Sequence, residues 1–278
     1  MRHRVGLGTM VDPKISWIER IPILQDYASQ LLSIANDIVS FPVRPYDSSD
    51  YLGLMIDTFT NKQIEHLKSI CLLVEAKQYP DAEIVSRVSI EGMYLLLWAA
   101  HGPKDNPGKI RPLKWWSYQF IEEYRKMIKN DVNDIDLKIE TAIFEGVKEY
   151  SHLFLTKKYK DLLRRGKVKE SPDDPYIVRW PSENLEQITE ELENLGKISS
   201  QFFHYKTVYR GFSQWLHWTP RGIGKVFCWD INNISRNTNN CEFMGVGAII
   251  MGLQSLATSA HLFNDRFKLD FQGKLNDL

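Results

Sequence analysis

The sequence predicts an all-α fold, a multi-helix bundle of about seven to nine helices. Apolar residues recur at spacings of three and four through most of the chain, the signature of helices with one buried face. No series of alternating β-branched segments and no repeat of fixed period interrupts them. With 278 residues, 43% of them hydrophobic and 12% aromatic, the chain has ample material for a packed core.

The first helix is expected from Ile15 to Phe41, where Ile23, Tyr27, Leu31, Ile34 and Ile38 keep the helical period and Pro22 starts a turn or kink. FPVRPYDSSD breaks the pattern, and a second helix is placed from about Asn61 to Gln78, ended by Tyr79-Pro80. Asp81 reads as the cap of a third, AEIVSRVSIEGMYLLLWAA, which is apolar nearly all round and belongs at the centre of the bundle. HGPKDNPGKIRP closes it. KWWSYQFIEEYRKMIKN gives a fourth helix and Ile135 to Arg165 a long fifth, ended by Gly166. KVKESPDDPYIVRWPS is the most loop-like interior segment. Pro181-Ser182-Glu183 opens a helix to about Asn194, and another spans Ser199 to Trp218. INNISRNTNN reads as a polar loop. FMGVGAIIMGLQSLATSAHLF, from Phe243 to Phe263, is long enough to span a membrane, but glycines, serines, Gln254 and His261 dilute its apolarity, so a core helix is expected and no membrane partner. Residues 1–12 read as a flexible arm and 13–278 as a single helical domain.

Charge excludes some functions. The 35 lysines and arginines balance 35 aspartates and glutamates, so nucleic acid could be held only by a local patch. Cys71, Cys228 and Cys241 are odd in number and form no Cys-x-x-Cys pair, which fits a reducing cytoplasm better than a disulfide framework or a zinc ribbon. The start, MRHRVGLGTMVDPKISW, lacks the apolar run of a secretory signal. Glu149-x-x-His152 has the spacing of one half of a ferritin-like site, but no second Glu-x-x-His follows, so no metal is expected. GLGTM has neither the preceding strand nor the Gly-Lys-Ser ending of a phosphate loop, and no Gly-x-Ser-x-Gly elbow occurs.

The functional candidates concentrate in YRGFSQWLHWTPRG. On the expected helix Tyr205, Val208, Tyr209, Phe212 and Leu216 form one stripe, while Arg210, Ser213, Gln214 and His217 form another. Arg210 and His217 are seven apart and project from one side about 10 Å apart along the axis. His217 falls in the last turn, where the helix dipole favours a protonated imidazole, a usable general acid. A capping histidine and an arginine tied to a carboxylate would explain the same residues. Arg87 and Glu91, four apart on the apolar third helix, read either as a buried ion pair or as a shell in which Glu91 holds Arg210 or His217. TKKYKDLLRRGKVK sets Lys157, Lys158, Lys160, Arg164, Arg165, Lys167 and Lys169 against Asp161 alone. It is either a solvated helix end that suits the dipole or an RNA-binding surface.

The spacing Tyr209-x3-Ser213-x3-His217 with its Thr-Pro-Arg turn, together with Arg87-x3-Glu91, resembles an uncharacterised family of bacterial all-helical proteins from about Tyr27 to Thr258. More distantly the chain is similar to the HEPN superfamily, helical bundles of prokaryotic defence and toxin-antitoxin systems. Their nucleases carry arginine, four to six residues, then histidine, and Arg210 and His217 match with six between. That resemblance implies a homodimer whose paired motifs cleave RNA without metal or cofactor, and an antitoxin or defence partner. His217 would then move protons, Arg210 would stabilise the phosphorane, and Tyr209, Ser213 and Gln214 would support them. The rival expectation is a non-catalytic helical module that binds a protein or RNA.

Overall fold

The structure is a computed structural model that describes residues 15–41, 47, 49–102, 109–130, 137–167, 174–200, 202–211, 220–230 and 233–277. It is all-α apart from one short hairpin among the described residues. In chain order the helices are α1 (Trp17–Ser40), α2 (Tyr51–Glu75), α3 (Tyr79–Ala100), α4 (Ile110–Asn130), α5 (Leu137–Tyr150), α6 (Lys157–Arg164), α7 (Leu185–Asn194), α8 (Phe202–Tyr209), α9 (Pro220–Val226), α10 (Thr238–Phe267) and α11 (Gln272–Asn276). Strands β1 (Phe227–Asp230) and β2 (Asn233–Arg236) pair antiparallel, with Phe227 opposite Arg236. Contacts group the chain into two compact units. Unit 1 comprises Met1–Pro45, Ile56–Leu97 and Thr189–Leu278, and unit 2 comprises Tyr46–Met55 and Trp98–Ile188.

The helix ends depart from the sequence reading for local reasons. Glu19 accepts from both the backbone N–H (2.9 Å) and the hydroxyl (2.6 Å) of Ser16, which starts α1 before Pro22. The helix then runs through Pro22; the carbonyl left without a donor is that of Ile18, on an exposed turn. α2 starts ten residues earlier than expected because Asp50 caps it, accepting from the Gly53 N–H at 2.9 Å. Its end is a left-handed Lys77 (φ 59°), with the Gln78 N–H returning to the Leu73 carbonyl at 2.7 Å. Pro80, expected as a breaker, sits in the first turn of α3, where no N–H is needed.

In unit 1, α10 supplies the longest buried surface, packing against α1 and into a cluster with Ile21, Ile70, Val74, Tyr79 and Val226. Of its most apolar window 61% is buried, so its apolarity is that of a core helix. Its glycines are close-approach points: a Cβ on Gly245 would lie 2.5 Å from the Tyr79 ring, and one on Gly252 would lie 2.9 Å from Ile70. The expected polar loop INNISRNTNN instead supplies β2, the Asn237 cap of α10 and the start of that helix. Strands of four residues with Ile234 exposed carry no core-facing alternation, which is why the sequence concealed them.

In unit 2 the long fifth helix expected from Ile135 to Arg165 is divided. α5 gives way to a 3₁₀ turn at Ser151–Leu153, and α6 begins afresh after Thr156, whose hydroxyl accepts from the Tyr159 N–H. The backbone between them leaves the helix to pair with another segment: Thr156 N–H to Pro175 O (2.8 Å) and Ile177 N–H to Phe154 O (2.8 Å). That turn drives Phe154 into a core with Tyr118 and Ile121, against which Tyr150, Tyr176, Ile177 and Trp180 pack. Arg125 fastens the same segment, forking onto Asp174 at 2.8 and 3.0 Å and donating to the Tyr176 carbonyl at 2.9 Å.

Candidate functional site

Within unit 1, α3 carries Glu83, Arg87 and Glu91 at intervals of four, so they line one strip of a helix whose other positions, Ser86, Ser89, Ile90 and Met93, are buried. A polar tie anchors α3 to α2. The Gln63 amide donates to the Ser89 carbonyl at 2.7 Å while the Ser89 hydroxyl donates to the Gln63 side-chain oxygen, and Gly92 leaves room for that amide.

Arg87 and Glu91 converge on one side chain of α8. The guanidinium of Arg87 lies 4.6 Å from the centre of the Tyr209 ring and donates from Nη2 to the Tyr209 hydroxyl at 2.6 Å. That hydroxyl in turn donates to Glu91 Oε2 at 3.1 Å. A cation and a carboxylate on successive turns are thus joined through a phenol, which uses its acceptor and donor capacity in opposite directions. Tyr205 stacks on Tyr209 with ring centres 5.6 Å apart and planes 15° from parallel. Burial, with the Glu91 charge adding and Arg87 opposing, pushes the Tyr209 phenol up to about 12. It therefore stays protonated at neutral pH, a donor to Glu91 and not a nucleophile.

α8 is not the α-helix expected from Ser199 to Trp218. It starts at Phe202 and is wound as a π-helix to Tyr209, returning to α geometry at Arg210 and Gly211. Such segments are uncommon and often sit at functional sites. Arg210 follows the bridged tyrosine directly and is exposed. Phe212, Ser213, Gln214, Leu216, His217 and Trp218 lie outside the described residues, and Pro220, expected to end the helix, opens α9. From α9, Lys225 donates to the Gly211 carbonyl at 3.2 Å.

Sequence reasoning passes over Glu83, Tyr205 and Lys225 as members of the site. Glu83 is 3% exposed, and its Oε2 has no hydrogen-bond partner. Burial pushes its carboxyl up to about 7, against the opposing charge of Lys225. The Glu83-x3-Arg87-x3-Glu91 spacing on an otherwise apolar helix is the signal that could have found it.

The basic tract belongs to unit 2. Lys157, Lys158, Lys160, Arg164 and Arg165 are all exposed, Arg164 lies 3.4 Å from Asp161, and Lys169 is outside the described residues. The break before α6 corrects the dipole reading. Lys157 and Lys158 open the helix at its positive end, so the dipole accounts only for Arg164, Arg165 and Lys167 at the other end. His152 is exposed with Nδ1 on the Glu149 carbonyl at 3.0 Å, and among the described residues no group of histidines, cysteines and carboxylates is placed to hold a metal ion.

The model of a family of unknown function, DUF5677, matches residues 56–233, well over half of the chain. The chain belongs to this family. The matched stretch, shorter than the Tyr27 to Thr258 of the sequence resemblance, contains Glu83, Arg87, Glu91, Tyr209, Arg210 and His217 and the whole basic tract. No curated protein and no solved structure matches the chain.

The three-residue bridge has a measurable energy. Tyr209→Phe keeps the ring stack but removes both hydrogen bonds, and is expected to cost about 1–3 kcal/mol in urea unfolding, because Arg87 and Glu91 are left half-buried without the hydroxyl. In a double-mutant cycle with Glu91→Gln the two changes should couple by at least about 0.5 kcal/mol; strict additivity would mean that the bond from Tyr209 to Glu91 contributes nothing.

Proposed function

We propose that this protein is a HEPN-like RNA-cleaving effector of a bacterial defence or toxin-antitoxin system, acting as a cytoplasmic homodimer. The observation that carries the reading is the bridge at Tyr209: Arg87 and Glu91 fix the end of α8, and the next residue, Arg210, faces solvent. A guanidinium fixed at its base and exposed to solvent suits phosphate oxygens. In the proposed reaction the ribose 2'-oxygen bonds to phosphorus and the bond to the 5'-oxygen breaks, giving a 2',3'-cyclic phosphate and a 5'-hydroxyl. His217 accepts the 2'-hydroxyl proton, the partner's His217 supplies one to the leaving oxygen, and Arg210 neutralises the phosphorane. Arg87, Glu91 and Tyr209 position the helix; Ser213 and Gln214 support the phosphate. No metal is required. The exposed cations of α6 add affinity that falls steeply with salt.

Growth on induced expression tests the proposal. The wild-type protein should arrest bacterial growth unless a cognate antitoxin is present, and His217→Ala should restore growth at an unchanged protein level. A non-catalytic helical interaction or RNA-binding module is favoured by one feature, that the Arg87, Tyr209 and Glu91 groups satisfy one another as a structural clamp does. That module would be harmless with or without His217. Light scattering should give a dimer, because one arginine and one histidine per chain make a sparse site that a two-fold axis would double.

A further inference from the structure

Unit 2 contains an aromatic cleft that the proposed chemistry does not use. It is a partly open cavity of about 500 Å³ between α4 and the segment 178–180, its lining including Trp115, Trp116, Trp180, Glu122, Val178 and Arg179. Two of the three walls, Trp180 and Trp116, are braced by neighbouring rings. Trp180 packs on Trp98 with centres 5.8 Å apart, and the buried Arg111 lies 3.8 Å from the Trp98 ring while donating to the Trp98 carbonyl at 2.7 Å. Trp116 is held by Tyr51 at 4.9 Å, Phe120 at 5.4 Å and Tyr150 at 5.6 Å. Rings immobilised in this way lose little entropy when a flat ligand stacks on them. Val178, in the same lining as the three tryptophans, is 88% exposed.

Cations gather at the same helix. Lys114 precedes Trp115 and is half-buried; burial lowers its ammonium pKa, the charges of Lys160 and Arg111 lower it further, and Glu183 opposes them. Lys114, Lys160 and Arg111 are thus near enough to act on one another's charge, with Glu183 offsetting part of it. Arg179, exposed in the cleft lining, adds a fourth cation. Aromatic walls with flanking cations are the arrangement by which proteins hold single-stranded nucleic acid, bases stacked and backbone neutralised.

We propose that this cleft binds a nucleobase of single-stranded RNA, stacked against Trp115 and Trp180, with the adjoining phosphates on Arg179 and the Lys114–Lys160 cluster. The choice of RNA rests on the RNA-cleaving function proposed above. Glu122 gives the site a preference: its carboxylate accepts from an exocyclic amino group, which adenine and cytosine carry and uracil lacks.

The test is fluorescence anisotropy of labelled twelve-nucleotide oligoadenylate and oligouridylate with the full chain carrying His217→Ala, so that the strand stays intact. Oligoadenylate should bind more tightly than oligouridylate. Trp115→Ala should weaken binding about tenfold or more, and Trp115→Phe should restore most of it. Arg179→Glu, at an exposed position where folding is unaffected, should weaken binding and flatten its salt dependence. The proposal is overturned if oligoadenylate does not bind, if Arg179→Glu binds it as the parent does, or if free AMP competes at the concentration of the strand, which would mark a mononucleotide site. Cleavage is read separately on the wild-type chain. Its absence would leave the binding result standing, and lost binding with intact cleavage would remove the cleft alone.

Discussion

Phe154→Ala is expected to destabilise the protein by about 3–5 kcal/mol, the range for truncating an aromatic side chain in a packed core. The ring is fully buried, meets Tyr118 edge-on with centres 5.3 Å apart, and anchors the cluster on which Ile177 and Trp180 pack. Its removal deletes the transfer free energy of an aromatic side chain and leaves a cavity that the fixed backbone closes only in part, because the Phe154 carbonyl still accepts from Ile177. Leu153, one residue earlier and only partly buried, should cost distinctly less on truncation. Urea midpoints of the two variants decide the matter. Equal, small losses would mean that the break between α5 and α6 is not held by this ring.

The second large effect is a pH dependence carried by Glu83. Burial holds its native carboxyl near 7, whereas the unfolded glutamate titrates near 4.5, so between those values the native state binds the extra proton. The stabilisation is complete below about pH 4.5, declines as pH rises through the window and is gone above about pH 7. The total is about 3 kcal/mol for a shift of this size in a group only 3% exposed. Glu83→Gln, neutral and nearly isosteric, should flatten that decline and leave the protein more stable than wild type at pH 8. His66 acts in the opposite sense: burial, helped by Lys62, lowers its pKa, so its contribution is lost as pH falls. The difference between variant and wild type isolates Glu83. Parallel profiles from pH 5 to 8 would show that its carboxyl is already ionised in the native protein at pH 5.

The fold class was legible because α1 displays helical periodicity over six turns, while α3 and α10 are apolar runs too long for strands. Boundaries were less so. Tyr51 to Thr60 holds a glycine and two threonines, whose weak helix propensity hid the first turns of α2, while the Asp50 cap and buried Met55 and Ile56 secured them. The division of α5 from α6 is a tertiary event, a pairing with residues 175–177 that no window of Ile135 to Arg165 contains. Arg87 and Glu91 could be singled out as charges on an apolar helix, and Tyr209 by its place beside Arg210. That the three meet spans 118 to 122 residues of sequence and required the fold. Glu83 is marked in the sequence only by its spacing of four from Arg87; its burial and unpartnered oxygen came from the fold.

The most direct measurement on the central claim is incubation of purified wild-type protein with an end-labelled single-stranded RNA in the presence of EDTA. Cleavage to fragments ending in 2',3'-cyclic phosphate is predicted. Arg210→Ala and His217→Ala should each abolish it, and Arg210→Ala, at an exposed position, should change the unfolding free energy by no more than about 0.5 kcal/mol. A folded, dimeric His217→Ala protein that cuts at the wild-type rate, or a folded, dimeric wild-type protein that leaves the RNA intact, would contradict the account.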